Sequence, residues 1–167
     1  MATTYEPIAT TTLGSAQSSV TFSAISGSFT DLILVFVGAQ TSTAQGDLNF
    51  RFNSDTGTNY SRTILYGSGS AAGSTRSTNA SNFRVEVYSY PDTATGGTNQ
   101  ILHLMNYSNT TTYKSILARG NSAASGVDAT VGLWRSTSAI TAIECYMDSS
   151  ATLKAGSMFT LYGIASA

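Results

Sequence analysis

The sequence predicts an all-β protein, a jelly-roll-like antiparallel β-sandwich in a single domain. Three observations carry that prediction: apolar residues recur with period two along most of the chain, the apolar segments are short, and clusters of Gly, Ser, Thr, Asn and Asp separate them. Strands have this pattern when one face is buried against a second sheet and turns join them at close intervals. No window carries the apolar stripe of period 3.6 that marks a helix. A chain of 167 residues has the length of one ordinary domain and can bury most of its apolar surface in a single core.

Taken in order, residues 1–7 (Met1-Ala2-Thr3-Thr4-Tyr5-Glu6-Pro7) read as a short N-terminal arm ahead of a sandwich spanning 8–167. Ser18-Val20-Phe22 opens the sandwich. Leu32 to Val37 is apolar at every position, so it is expected at the centre of a sheet, buried on both faces. Leu48, Phe50 and Phe52 alternate with Asn49 and Arg51, which gives a strand with one wet face. Tyr60 to Tyr66 follows, and then Phe83, Val85 and Val87 alternating with Arg84, Glu86 and Tyr88. Ile101 to Tyr107, Tyr113 to Ala118, Thr130 to Trp134, Ile140 to Met147 and Phe159 to Ile164 complete about ten strands, a number that suits two antiparallel sheets.

The connections have their own chemistry. Asn53-Ser54-Asp55-Thr56-Gly57-Thr58-Asn59 predicts a hairpin turn, because Asn, Asp and Gly tolerate positive φ and bond their own backbone. Tyr107 to Tyr113 reads as a tight link between antiparallel neighbours. Gly67 to Ser81 and Asp92 to Thr98 are too polar to be buried and are expected as loops on the rim. Both prolines, Pro7 and Pro91, are placed outside strand interiors.

Ser and Thr supply 50 of the residues, 25 of each, while only 10% are charged. Seven Phe and nine Tyr exclude a disordered Ser/Thr stalk, which lacks the aromatics needed to offset chain entropy. The basic residues are scattered singly and the formal charge is −1, so nucleic acid is not expected as a partner. Near-zero charge gives weak colloidal repulsion, which suits an assembled subunit better than a free monomer. The N-terminus lacks a basic n-region and an apolar h-region, and Leu32 to Val37 is far too short to cross a bilayer. Neither a signal peptide nor a membrane partner is therefore expected.

No catalytic residue, cofactor or metal site is predicted. His103 is the only histidine and sits among apolar neighbours; Cys145 lies in an apolar run and reads as a small buried hydrophobe. Asn53-x-Asp55-x-Gly57-x-Asn59 imitates a calcium loop but holds one carboxylate and no closing Glu, so it reads as a turn held by its own side chains. Asp31 and Asp47 each precede an apolar run and are expected as caps at strand starts. Tyr60, Tyr66, Tyr88, Tyr90, Tyr107, Tyr113 and Trp134 fit either sheet packing or an interface between subunits.

Ile8-Ala9-Thr10-Thr11-Thr12-Leu13-Gly14-Ser15, Val20 to Ile25 and Thr30 to Val35 resemble the small Ser/Thr/Gly-rich virion structural proteins of tailed bacteriophages. Phe50 to Ser61, Met105-Asn106-Tyr107-Ser108, Gly132-Leu133-Trp134-Arg135 and Phe159-Thr160-Leu161-Tyr162-Gly163-Ile164 are similar to the same group. The resemblance implies assembly on a virion, no enzyme activity and no site residue to carry over. Members of the group serve as capsid decoration or as parts of tail fibres. A fibre shaft needs coiled-coil heptads or a long β-helical repeat, and neither is present.

The expectation is therefore a capsid decoration (cement) protein, made in the host cytoplasm and carried on the capsid surface. Its partner would be the major capsid protein in a symmetric oligomer, with a homotrimer expected from the resemblance and from the threefold positions of a shell. The alternative is a fibre tip that binds host carbohydrate. A sandwich has its rim and edges free to meet a partner, so the expected contacts are Ala2, Thr3, Thr4 and Tyr5 in the arm and Arg76 in the Gly67 to Ser81 loop.

Overall fold

The computed structural model describes residues 4–94, 97–148 and 151–165, and among them there is no helix. Twelve strands form two antiparallel sheets in a jelly-roll-like sandwich. They are β1 Tyr5–Thr12, β2 Ser19–Phe22, β3 Asp31–Gly38, β4 Leu48–Phe52, β5 Tyr60–Gly67 and β6 Ala72–Ala80, followed by β7 Phe83–Arg84, β8 Thr98–Met105, β9 Lys114–Ser122, β10 Gly126–Trp134, β11 Ile143–Met147 and β12 Met158–Ile164. The larger sheet runs β1-β12-β3-β8-β9-β10-β5-β6 and the smaller β2-β11-β4-β7.

The alternation visible in the sequence places the core between the sheets. Leu32, Leu34 and Phe36 of β3 and Leu102 and Leu104 of β8 meet Phe50 and Phe52 of β4 and Ile143 and Cys145 of β11, all fully buried. Trp134 lies edge-on to Phe52 at 5.6 Å and stacks on Tyr60 at 6.4 Å. Such pairs add packing energy beyond the area they bury. Burial pushes the Cys145 thiol well above its ordinary pKa, with the neighbouring Glu144 carboxylate adding to the effect, so this cysteine is an inert core residue.

Several expectations need correction. The last three residues expected in the arm, Tyr5, Glu6 and Pro7, pair with Ile164, Gly163 and Tyr162 in strand β1. Pro7 thus stands inside a strand, but one at the sheet edge and beside a bulge between Pro7 and Ala9, where a missing N–H is tolerated. The Gly67 to Ser81 loop is mostly strand β6, whose small and hydroxylic residues pair with β5 despite lacking any apolar alternation. Asn53 to Asn59 has the turn chemistry expected, with Asn53 and Ser54 at positive φ. It nevertheless joins β4 and β5 in different sheets, so it is no hairpin.

Only Phe83 and Arg84 of the Phe83 to Tyr88 segment are strand. Beyond them the chain crosses over the large sheet, held by the Asp128 carboxylate, which accepts the N–H groups of Val87 at 3.0 Å and Tyr88 at 2.8 Å. Glu86 is buried there and accepts hydrogen bonds from the Gln100 side chain and the Leu48 N–H. Burial drives its carboxyl well above the usual range, against the pull of those two bonds.

Candidate functional site

One face of each sheet lies in the core, and the two remaining faces differ in kind. The outer face of the small sheet is polar, and its arginines are paired with neighbouring carboxylates. Arg51 reaches Glu144 at 3.1 Å and the Tyr146 hydroxyl at 2.8 Å while lying 4.5 Å over the Tyr146 ring. Arg84 pairs with Asp47 beside it.

The outer face of the large sheet carries a band of aliphatic side chains through its middle, with polar ones among them and toward both edges. Strand registry fixes its layout. One row crosses from Arg76 on β6 through Thr63, Val131, Leu117, His103 and Ile33 to Tyr162 and Pro7 at the far edge. A neighbouring row crosses from Ser74 through Leu65, Ala129, Arg119, Ile101 and Val35 to Thr160 and Thr10. Leu65, Leu117, Val127 and Val131 leave 60%, 48%, 57% and 58% of their surface in water. Exposure of that order is ordinary for one aliphatic side chain but not for four on adjacent strands.

This face also explains β3. The run Leu32 to Val37 is apolar on both sides, yet only Leu32, Leu34 and Phe36 are fully buried; Ile33, Val35 and Val37 are half-exposed on the outer face. The expectation of burial on both faces is corrected: no element of the described chain covers the second side.

Open depressions mark the face. One of about 790 Å³ lies among Leu65, Ile101, Arg119, Asn121 and Val127. A second of about 470 Å³ lies among Tyr5, Ile33, His103, Leu117 and Arg119. A third of about 300 Å³ lies among Thr63, Arg76, Ser115, Val131 and Leu133. Eight strands at about 4.8 Å spacing and four side-chain rows about 6.7 Å apart give a surface of roughly 40 by 20 Å, or about 800 Å².

Of the contact residues expected from sequence, Ala2 and Thr3 lie outside the described residues. Thr4 is exposed just before β1, Tyr5 is 55% exposed in β1, and Arg76 is exposed on β6. Tyr5 and Arg76 border the same outer face from opposite edges of the sheet. Sequence reasoning missed what lies between them, above all Arg119, Leu117 and Val131. The signal was there in β3 and in the Val127-x-Ala129-x-Val131-x-Leu133 alternation, whose apolar members face outward while Asp128 and Thr130 face in.

The titratable groups on the face are few. His103 Nε2 lies 2.8 Å from Asp31 Oδ2, and Asp31 Oδ1 accepts the Asn106 N–H at 2.7 Å. The pair ties β8 to the first residue of β3. No group of three or more His, Cys, Asp or Glu side chains is placed to hold a metal among the described residues.

No protein-family model matches the chain, and no curated protein does. Among solved structures, the galectin LEC-6 of Caenorhabditis elegans aligns over 94% of this chain and 96% of its own, at 11% identity and a TM-score of 0.34. A double mutant of the alginate lyase Aly36B in complex with alginate tetrasaccharide aligns over 93% and 77%, at 10% identity and a TM-score of 0.38. Sheep galectin-11 in complex with glycerol aligns over 86% and 95%, at 8% identity and a TM-score of 0.37. At such scores these likenesses add nothing to what the topology of this chain already shows.

Proposed function

We propose that this protein is a non-enzymatic capsid decoration subunit that docks on the major capsid protein through the outer face of its eight-stranded sheet. The observation that carries the reading is the band of exposed aliphatic side chains across that face, Leu65, Leu117, Val127 and Val131 above all. The whole face, polar edges included, spans about the 800 Å² that each partner contributes to a stable protein interface, and its aliphatic middle resembles the centre of one. The resemblance of the sequence to tailed-phage virion proteins supplies the setting. The middle of the face is aliphatic where a sugar platform is aromatic; Tyr5 and Tyr162 stand toward its β1 edge, and Tyr66 borders the depression at Leu65 and Val127. That composition favours a protein surface over the fibre-tip alternative.

The test is attachment of purified protein to shells assembled without it. The double variant Leu117→Asp, Val131→Asp places two charges on exposed positions, so circular dichroism and thermal unfolding should match the parent. Shell occupancy should fall at least tenfold, because each carboxylate would be desolvated in the interface. Full occupancy by this folded variant would contradict the reading.

A further inference from the structure

Six of the eight cationic side chains are bonded within the chain. Arg51 pairs with Glu144 and Arg84 with Asp47. Arg62 donates to the Asn82 carbonyl, Lys114 to those of Thr112 and Thr137, Arg135 to Thr58 and Asn79, and Lys154 to Thr93. The remaining two, Arg76 and Arg119, are exposed and have no hydrogen-bond or ion-pair partner among the described residues. Both lie on the outer face of the large sheet, Arg119 at its centre and Arg76 near its β6 edge. Among the described residues the one carboxylate at an outward position of this sheet, Asp31, is already bonded by His103 and the Asn106 N–H.

From this we infer that the docking face recognises an acidic protein surface, with a carboxylate seated on Arg119 inside a ring of aliphatic contacts and a second one near Arg76. The inference rests on the reading of this face as the docking surface. Three strand spacings and two residues along the strand separate the two arginines, or about 16 Å between their Cα atoms. A planar guanidinium offers a carboxylate two parallel hydrogen bonds. Aliphatic neighbours keep water from that pair once the surface is covered, the setting in which an interface arginine carries most binding energy. The same charge pattern argues against a second copy of this chain as occupant. Two copies face to face would bring four guanidinium groups into one interface with no free carboxylate from the described part of either face, and an excess of like charge disfavours such a partner.

The experiment measures binding to undecorated shells, at low and at high salt, for the parent, Arg119→Ala, Arg119→Lys, Arg76→Ala and Leu117→Asp, with retention on polygalacturonate as a parallel arm. Arg119→Ala should weaken shell binding about 10- to 100-fold and flatten its salt dependence. Arg119→Lys should recover part of the loss but not all of it, because it keeps the charge and loses the fork. Arg76→Ala should have the smaller effect of a border charge. If Leu117→Asp fails to bind while Arg119→Ala binds as the parent does, the face is the docking surface and the acidic partner is wrong. If all variants bind as the parent does, the docking face itself is wrong. Arginine-dependent retention on polygalacturonate without arginine-dependent binding to shells would replace the protein partner by an acidic polysaccharide and overturn the inference.

Discussion

Asp55 shows how one short side chain can fasten distant parts of this fold. Its carboxylate accepts the Gly57 N–H at 2.8 Å, the Asn59 side-chain amide at 2.9 Å and the Trp134 indole N–H at 2.7 Å. Burial alone would raise its pKa, but those three bonds and the nearby Arg51 charge together hold it below its ordinary value. A depressed carboxyl pKa contributes stability above the unfolded value of about 3.9 and loses it as pH falls through the folded value. Asp55→Ala should therefore cost about 1.5–3 kcal/mol, the range for hydrogen bonds to a charged group. Unfolding by denaturant, followed through Trp134 as the single tryptophan, measures it. Asp55→Asn should flatten the loss of stability below about pH 4, and an unchanged acid response would show that other carboxyls govern it. The turn was legible in the sequence because Asp55, Gly57 and Asn59 are neighbours. The bond to Trp134 was not, because pairing across 79 positions is set by strand registry.

At the level of elements, strands with a buried face were legible and strands without one were not. β3, β4, β5, β8, β9, β10, β11 and β12 show through their apolar members. β1 and β6 lie at the two edges of the large sheet and hold their places through backbone ladders, which hydroxylic and small side chains satisfy as well as apolar ones do. Conversely, Val85 and Val87 alternate as a strand should, but Asp128 captures the backbone N–H groups that a ladder would need. Close packing between the sheets has its own requirement at Gly132 in β10, where a Cβ would come within 2.1 Å of the Phe83 ring. Phe83 is fully buried and has no room to retreat. Gly132→Ala should destabilise the protein by about 1–3 kcal/mol, the usual cost of overpacking, with a matching fall in the urea midpoint. A midpoint equal to the parent's would mean that the sheets separate freely at this point.

For the whole molecule, the contrast between its two outer faces is the basis of the functional reading. The small sheet turns toward water a surface whose charges are paired among themselves. The large sheet turns outward a band of aliphatic side chains and two guanidinium groups that have no partner among the described residues. The proposal moves the contacts expected at rim and edge to the face, because β3 is apolar on both sides while the described chain covers only one. Neither Tyr5 nor Arg76 is lost by that shift, since both stand at the border of the same surface. The most direct test is cryo-electron microscopy of the intact particle. The account predicts density for this chain on the outside of the capsid shell, with the eight-stranded sheet turned toward the major capsid protein and Leu117, Arg119 and Val131 covered by it. Density confined to the tail, or a sandwich attached by its small sheet or rim with the large sheet facing solvent, would contradict it.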